Sequence, residues 1–252
     1  MKKSLIYIIP IALIILATTI PGKKMLTADE LFDKVVQYYD PNGIWDEFAG
    51  SMRMHTIFDN DISIEELTID NGKDYYQSTR LFQDSTFSIG KKAGQAFFKL
   101  NGAMVTDQDV PDRLRSWPYR LNTDAVKNMS EHHLIHFCMP LVYKKAGAKP
   151  IPKVGSKTLY GKIYTTISFS TLPNAQGPNY KDVPVTLYLD VDNDYRIDAI
   201  EIKNKWGKDQ KGGIAILKGE LEIDGLRIPA RKIYLNRADR SYALMDAFEK
   251  ID

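Results

Sequence analysis

Hydrophobic and polar residues alternate with a period of two along most of the chain, which predicts a protein built mainly of β-strands. In residues 48–58, one face carries Phe48, Met52 and Met54, whereas the other face carries polar residues such as Arg53. Comparable runs cover residues 62–69, 73–82, 86–91, 95–100, 159–169, 185–191, 195–203, 213–223 and 226–235. Short polar turns separate these runs, so neighbouring strands should pair antiparallel. About 9–11 strands are expected, a number that favours a curved antiparallel sheet or an incomplete barrel.

Three of the turns have clear hairpin signals. Asn-Gly at residues 101–102 and Asp-Gly at residues 224–225 are pairs that two-residue hairpin turns prefer, because both positions need positive φ. An acidic tip at residues 192–194 joins the strands at 185–191 and 195–203. These signals predict a hairpin at each of the three places.

A helix is predicted near the N-terminus, before the first strand. Thr27 and Glu30 form a capping box, in which each side chain can accept a hydrogen bond from the other residue's backbone N–H group. Leu31 and Val35 then repeat at helical spacing. Pro41 marks the end, because proline disfavours a helical residue before it.

The strand pattern is interrupted at residues 107–147, where the periodicity becomes helical. Helices are predicted at residues 110–116 and 123–138, and Pro140 should interrupt the second one. One face of that second helix carries Val126, Met129, His133 and Phe137. Because this face is largely apolar, we expect the insert to cover the concave face of the sheet. The predicted fold class is therefore α+β, mainly β, with an N-terminal helix and a helical insert.

The first 22 residues have the three zones of a secretory signal: two lysines, an Ile/Leu-rich run and an end rich in small or turn-forming residues. The apolar run contains Pro10 and is shorter than the roughly 20 residues that a membrane-spanning helix needs. We therefore predict a signal peptide at residues 1–22, a single domain at residues 23–252 and a periplasmic or secreted location. An uncleaved anchor in the inner membrane is the alternative.

Charge and cysteine content exclude several classes of protein. Lys2 and Lys3 account for the formal net charge of +2, and no run of Lys and Arg is longer than a pair. A nucleic-acid partner is excluded, because binding a phosphate backbone needs a basic stripe that displaces counterions. Cys138 is the only cysteine, so the chain has neither an internal disulfide nor a lipid-acceptor cysteine near its N-terminus. We expect Cys138 to be a small buried hydrophobe.

A metal-binding helix is one candidate for chemistry, because residues 131–136 (EHHLIH) hold three of the four histidines. His132 and His136 are four residues apart and could chelate one metal ion from a helix. Glu131, however, precedes the pair and cannot act between them as the general base of a zincin. No third ligand lies at a suitable spacing. We therefore predict no metal site and no cofactor, with a metal-dependent enzyme using His132 and His136 as the alternative.

Acidic residues around the tip at 192–194 partly match a calcium-binding loop. The residues with this spacing are Asp190, Asp192, Asp194, Asp198 and Glu201. Tyr195, however, stands where such a loop needs glycine, and the flanking residues alternate as in strands. We interpret the acidic residues as part of a hairpin.

One apolar strand face becomes a concave wall if the sheet curls. Methionine suits a binding wall because its side chain is flexible and polarisable. We predict that an apolar ligand cavity is lined by Met52, Met54, Phe98, Leu187, Leu189, Met129 and Phe137. Ordinary core packing is the alternative interpretation of these residues.

The order of these segments resembles the layout of a known group of proteins. A capped helix at residues 28–31 (ADEL) leads into residues 40–45 (DPNGIW) and a strand at residues 48–52 (FAGSM). The C-terminal part contains the hairpin at residues 185–202 and the turn at residues 224–229 (DGLRIP). This layout resembles an uncharacterised family of exported bacterial proteins that is similar in architecture to the periplasmic outer-membrane lipoprotein carriers.

The resemblance implies an incomplete antiparallel barrel whose concave apolar face is covered by helices that open to accept acyl chains. Residues 107–147 are then the lid. We expect an exported binding or carrier protein, without catalytic activity, that holds a lipid or acylated ligand as a monomer and meets envelope proteins only transiently. Besides the metal-dependent enzyme, an envelope structural or assembly factor that presents a sheet edge to another protein is an alternative.

Overall fold

The structure is a computed structural model of the 252-residue chain. It describes residues 25–58, 61–82, 85–106, 108, 138–170, 183–203 and 212–251. The predicted signal peptide, the helix predicted at residues 110–116 and nearly all of the one at residues 123–138 lie outside these ranges. No helix within the ranges is long and apolar enough to cross a membrane.

The described residues form helix α1, which spans Ala28–Tyr39, a helical stretch at residues 138–145 and fifteen β-strands. The strands are β1 (Ala49–Ile57), β2 (Ile62–Asp70), β3 (Tyr75–Phe82), β4 (Ser85–Lys92), β5 (Gln95–Leu100), β6 (Ala103–Val105), β7 (Gly155–Leu159), β8 (Lys162–Phe169), β9 (Val185–Asp190), β10 (Arg196–Ile202), β11 (Gly213–Lys218), β12 (Leu221–Ile223), β13 (Leu226–Ile228), β14 (Arg231–Asn236) and β15 (Tyr242–Lys250). The protein is therefore mainly β, as predicted.

Thirteen of these strands form one antiparallel sheet, in the order β6-β5-β4-β3-β2-β1-β15-β14-β11-β10-β9-β8-β7. β6 and β7 are its two edges, so within the described residues the sheet does not close into a barrel. β12 and β13 form a separate two-stranded hairpin. The prediction of a curved, open antiparallel sheet is confirmed.

The strand predicted over residues 159–169 is instead two strands, β7 and β8. Tyr160 and Gly161 have φ of +49° and +79°, the backbone of a two-residue hairpin turn. The alternation of apolar and polar residues continues through this turn, so the turn could not be detected from the pattern. Leu159 and Ile163 therefore do not share a face: Leu159 is 6% exposed and Ile163 is 72% exposed.

All three hairpins with turn signals are confirmed. β5 and β6 pair across residues 101–102, and β9 and β10 pair across the acidic tip. The Asp-Gly turn at residues 224–225 joins β12 to β13, and β11 pairs with β14 beyond it. Breaks near Gly219 and Pro229 divide what looked like one long hairpin into these two pairs of strands. The short strands raise the observed number above the predicted 9–11.

The strand that joins the two halves of the sheet, β15, was not predicted. It pairs with β1 on one side, where Met54 faces Phe248, and with β14 on the other, where Lys232 faces Asp246. A strand from the C-terminus thus connects the sheet's N-terminal strands, β1–β6, to its C-terminal strands. Pairing between such distant segments depends on tertiary packing and leaves no local signal.

α1 begins with the predicted capping box. The Glu30 N–H donates to Thr27 Oγ1 at 3.2 Å, and the Thr27 N–H donates to Glu30 Oε2 at 2.8 Å. The helix ends at Asp40, whose carboxylate accepts hydrogen bonds from the Ile44 and Trp45 N–H groups at 2.8 and 3.0 Å. Its buried face consists of Ala28, Leu31, Phe32, Val35 and Tyr39. Burial of each larger apolar side chain stabilises the fold by about 1.5–3 kcal/mol.

The prediction that Pro140 interrupts the helix is wrong, because residues 138–145 are helical on both sides of it. Leu141 and Tyr143 from this stretch are buried in the same apolar cluster as the α1 residues. The stretch is therefore part of the core beneath which the sheet packs, and it continues past Pro140.

Candidate functional site

The two faces of the thirteen-stranded sheet differ in what covers them. α1 packs against β8, β10 and β13, and its buried residues share one apolar cluster with Leu141 and Tyr143. We call the face beneath α1 and the 138–145 stretch the inner face, and the opposite one the outer face. The inner face carries Met52 and Leu187, so it is the face for which the sequence predicted a ligand.

Four predicted site residues lie together on the inner face. Met52 and Met54 of β1 and Leu187 and Leu189 of β9 belong to one apolar cluster, and each has at most 5% of its surface exposed. The cluster therefore extends across the middle of the sheet, from β1 to β9. That these residues line a ligand cavity stays a prediction.

Phe98 lies on the same face, nearer the β6 edge. Directly paired residues of antiparallel strands point to the same side of the sheet. The pairs that lead from Met52 to Phe98 are Met52–Leu67, Leu67–Ser78, Ser78–Ile89 and Ile89–Phe98. Phe98 is 3% exposed but does not belong to the cluster that α1 joins. Met129, Phe137, His132 and His136 lie outside the described residues.

Aromatic contacts and one hydrogen bond hold α1 on the inner face. Phe32 and Tyr143 both pack edge-to-face on Phe169, with ring centroids 5.0 and 4.4 Å away. A β-bulge interrupts β10 after Ile197, and the Ile197 N–H donates to the Tyr39 hydroxyl at 3.2 Å. Burial raises the pKa of Tyr39 well above its usual value, so this hydroxyl stays neutral.

The inner face of β2 and β3 carries a charge pair in which Glu65 is buried among apolar residues and Arg80 is partly exposed. Arg80 Nη2 lies 2.8 Å from Glu65 Oε1, and the Ser78 hydroxyl donates to Glu65 Oε2 at 2.6 Å. Glu65 faces Met54 of β1 in the register, so the pair adjoins the predicted site. Burial raises the pKa of nearby Tyr76 well above its usual value, and the Glu65 charge adds to the effect.

A second polar group occupies the inner face where β1, β15 and β14 meet. The Thr56 hydroxyl donates to Asp246 Oδ1 at 2.8 Å. Burial raises the pKa of Tyr234 well above its usual value, as do the Asp246 charge and the hydrogen bond between the two side chains. The Asp246 carboxylate therefore already accepts from two hydroxyl groups in a buried environment.

Lys232 is directly opposite Asp246 in the register and is only 3% exposed. Its Nζ lies 5.9 Å from the centroid of the Phe248 ring. Within the part of the chain that the structure describes, its ammonium group has no hydrogen bond and no ion pair. Burial lowers the pKa of Lys232 to about 8, although the charge of Asp246 opposes this shift.

Cys138 is the first described residue of the helical stretch at residues 138–145 and is buried, as predicted. Burial raises the pKa of its thiol to about 12, and the charge of Lys232 only partly opposes the rise. The nucleophilic form of cysteine is the thiolate, so this thiol is inert near neutral pH.

The outer face has a cavity of about 450 Å³ that is built around Glu201. Glu201 is paired with Lys157, with Arg237 at 2.6 Å and with the Tyr188 hydroxyl at 2.9 Å. Burial alone would raise the pKa of Glu201, but these three partners outweigh it and lower the pKa. The remaining lining residues are Thr158, Ala238 and Arg240. The group joins β7, β9 and β10 to the turn after β14 through charge pairs.

The acidic residues around the β9–β10 turn belong to a hairpin, as interpreted. Asp190 is paired with Lys162 at 2.6 Å and accepts from Asn193 at 2.7 Å, and Asp198 is paired with Arg196 at 2.8 Å. Glu201 points instead to the outer-face cavity. Among the described residues, no group of three or more His, Cys, Asp or Glu side chains could hold a metal ion.

Sequence reasoning missed Lys232 and Asp246. Ile233 and Leu235 look like the buried positions of β14, which makes Lys232 look exposed. Ile233 and Leu235 instead pack against a smaller cluster on the outer face, and Lys232 is buried on the inner face. The available signal was the consecutive apolar run Ile233-Tyr234-Leu235, which is typical of a strand that is covered on both faces.

Comparison with known proteins gives similarity in fold. No model of a known protein family matches the chain, and no curated protein sequence matches it. Among solved structures, a LolA superfamily protein from Nitrosomonas europaea matches 90% of this chain and 94% of its own, with 10% identity and a TM-score of 0.50. A DUF1329 family protein from Desulfovibrio piger matches 88% of this chain and 91% of its own, with 8% identity and a TM-score of 0.39. The predicted similarity in architecture to lipoprotein carriers is confirmed.

Proposed function

We propose that the protein is an exported binding or carrier protein that works in the periplasm and holds a lipid or another apolar ligand against the inner face. In this proposal, residues 107–147 are the lid, whose C-terminal part at residues 138–145 stays packed in the cluster that α1 joins, and no catalysis is involved. The observation that carries the proposal is the extent of the apolar inner face, which runs from Phe98 on β5 to Leu187 on β9 in an open sheet.

The distribution of helices supports this placement. α1 packs against β8, β10 and β13, at the C-terminal end of the sheet. The apolar residues at the other end, Phe87, Ile89 and Phe98, are buried but lie outside the cluster that α1 joins. A movable cover over this end would give an acyl chain access to the face without unfolding the α1 core.

The residue types also suit an adaptable site. Met52 and Met54 lie at the centre of the inner face, and methionine adjusts its shape to different ligands at low cost. The Glu65–Arg80 pair and Asp246 place polar groups beside this apolar wall. Ligand sites commonly combine a mainly apolar lining with a few polar groups that orient the ligand.

The direct experiment is native mass spectrometry of the mature protein purified from the periplasm, followed by titration with a dansyl-labelled fatty acid. We expect a co-purified lipid, or saturable binding of the probe with one site per chain. Finding neither would remove the proposed function.

A matched pair of variants tests which face of the sheet binds the dansyl-labelled fatty acid. Phe98→Leu changes the inner face, and Phe97→Leu makes the same change on the next residue of β5, which points to the outer face and stacks on Tyr75 at 5.9 Å. We expect probe affinity to fall about tenfold in Phe98→Leu and to stay unchanged in Phe97→Leu. Equal effects would contradict binding on the inner face.

Export is tested separately by osmotic-shock fractionation and intact-mass measurement of the released protein. We expect the protein in the periplasmic fraction, with a mass that shows loss of an N-terminal segment near residue 22. Retention of the full-length chain in the membrane fraction would instead support the uncleaved anchor.

A further inference from the structure

We infer that the ligand of this protein has an anionic head group and that the ammonium group of Lys232 binds it. This inference rests on the proposed function and specifies its ligand as an acyl chain that ends in a carboxylate or a phosphate monoester.

Lys232 lies deep in the middle of the sheet. It belongs to β14, where it faces Leu217 of β11 on one side and Asp246 of β15 on the other. Cys138, which begins the helical stretch at residues 138–145, is close enough for the two groups to influence each other's charge. Lys232 is thus buried on the sheet in the neighbourhood of Cys138.

The Lys232 residue is 3% exposed, and among the described residues its ammonium group has no bonded acceptor. A lysine ammonium can donate three hydrogen bonds, and buried charges are normally paired and hydrogen-bonded. Asp246, whose carboxylate lies opposite Lys232, already accepts hydrogen bonds from the Thr56 and Tyr234 hydroxyl groups. Among the described residues, no other group bonds to the Lys232 ammonium. An anionic ligand would supply the missing acceptors.

Arg80 provides a contrast on the same face. Its guanidinium is paired with Glu65 at 2.8 Å, and Ser78 donates to the second oxygen of that carboxylate. Arg80 therefore already has an internal counter-ion. Lys232 faces a carboxylate in the register but does not form such a pair, so it is the better candidate for an external anion.

The surroundings of Lys232 suit the first carbons of an acyl chain. Phe248 lies beside the ammonium, and Phe248 in turn pairs with Met54 of β1. Leu217 and Met54 belong to the continuous apolar cluster of the inner face. A head group at Lys232 would therefore place its chain along the wall that contains Met54 and Met52.

The test compares three ligands of equal chain length: palmitate, hexadecyl phosphate and the uncharged hexadecanol. Each displaces the neutral probe N-phenyl-1-naphthylamine from wild type, from Lys232→Met and from the control Lys218→Met. The control removes the same charge from an exposed position on the neighbouring strand β11. We expect wild type and the control to bind at least one anionic ligand about tenfold more tightly than hexadecanol.

Lys232→Met should lose this preference for an anionic ligand and keep its affinity for hexadecanol, and Lys232→Arg should retain the preference. A stronger preference for palmitate indicates a carboxylate ligand, and one for hexadecyl phosphate indicates a phosphate ligand.

If Lys232→Met keeps the preference, or if wild type binds hexadecanol as tightly as both anions, the inference is wrong while the proposed function stands. The comparison of hexadecanol with the two anionic ligands on wild type needs no variant. It can therefore contradict the inference even if Lys232→Met does not fold. If none of the three ligands binds wild type, the proposed function itself is wrong.

Discussion

The inner face of the sheet has two regions that are built differently. The covered region, β8–β11, is packed beneath α1 and presents almost only apolar side chains, such as Phe169, Leu187 and Ile200. The polar region, formed by β14, β15 and β1–β3, places Lys232, Asp246 and the Glu65–Arg80 pair among apolar residues.

This difference indicates that the covered region stabilises the fold and that the polar region binds the proposed ligand. Apolar packing of the covered region stabilises the fold directly. Buried charges do not, since their desolvation costs as much as or more than their pairing returns. Because the buried charged side chains that the structure describes on the inner face are confined to the polar region, we expect the ligand to bind in that region. Four predictions test this division, from the largest expected effect to the smallest.

The covered region should be the most sensitive to loss of apolar volume. Phe169→Ala removes the ring that packs on Phe32 and Tyr143, and we expect a loss of about 4 kcal/mol in the free energy of unfolding, measured with urea. Leu81→Ala, at an exposed position of β3, is the control and should change stability little. A loss below about 1 kcal/mol in Phe169→Ala would contradict a tightly packed core.

The buried charge of Lys232 should make stability depend on alkaline pH. Its pKa is about 8 in the folded protein and near the ordinary value of 10.5 when unfolded, so between these values the unfolded chain binds more protons. The stability of wild type relative to Lys232→Met should therefore rise by about 3 kcal/mol from pH 7 to pH 10.5. Urea unfolding of both proteins across this range measures the difference.

Of the groups that face Lys232, Tyr234 and Cys138 do not titrate in most of this window, because burial raises the pKa of both. Among the described residues, Asp246 is the remaining charged neighbour, and it is present in both proteins. A difference that stays constant with pH would mean that Lys232 is solvated in the folded protein.

Breaking the Glu65–Arg80 pair should cost less. Arg80→Met leaves the Glu65 carboxylate buried with Ser78 but without its cation. Because the Arg80 side chain is itself 19% exposed, we expect a loss of about 2 kcal/mol in the free energy of unfolding, less than for a fully buried pair. Arg53→Met is the matched control, because Arg53 is paired with Glu66 and Glu249 on the exposed outer face. Equal losses in the two variants would remove the distinction between the faces.

The smallest effect is expected at the start of α1. Thr27→Ala removes the side chain that accepts from the Glu30 N–H, which should cost about 1 kcal/mol in urea unfolding. Because α1 packs on the covered region, the affinity for the dansyl-labelled fatty acid should remain unchanged. A large drop in affinity would show that α1 itself contributes to the ligand site.

Several elements were predictable because neighbouring residues determine them. The cap of α1 depends on Thr27 and Glu30, and the β5–β6 hairpin depends on the Asn-Gly pair at residues 101–102. The turn at Tyr160 was missed, because a residue other than Gly, Asn or Asp occupies its first position and the apolar alternation continues through it. Local signals thus locate an element only when its residue types are those that the turn or cap prefers.

For the candidate site, the sequence predicted the apolar wall but not its polar groups. Period-two alternation placed Met52 and Met54 on a buried face, and the structure agrees. The sequence analysis made no prediction for Lys232, and the structure buries it on the inner face. Alternation distinguishes two faces only when one of them meets water, and β14 is a central strand with both faces partly covered.

The sequence alone determined the class of fold, the capped helix and the three hairpins, since these depend on contacts between residues close together in the chain. Tertiary structure alone decided that β15 joins the two halves of the sheet and that Thr56 meets Asp246, 190 positions away. That contact depends on which strands become neighbours, and this choice follows from the packing of the whole inner face. The same packing buries Lys232 opposite Asp246, where the two charged groups face each other without forming an ion pair.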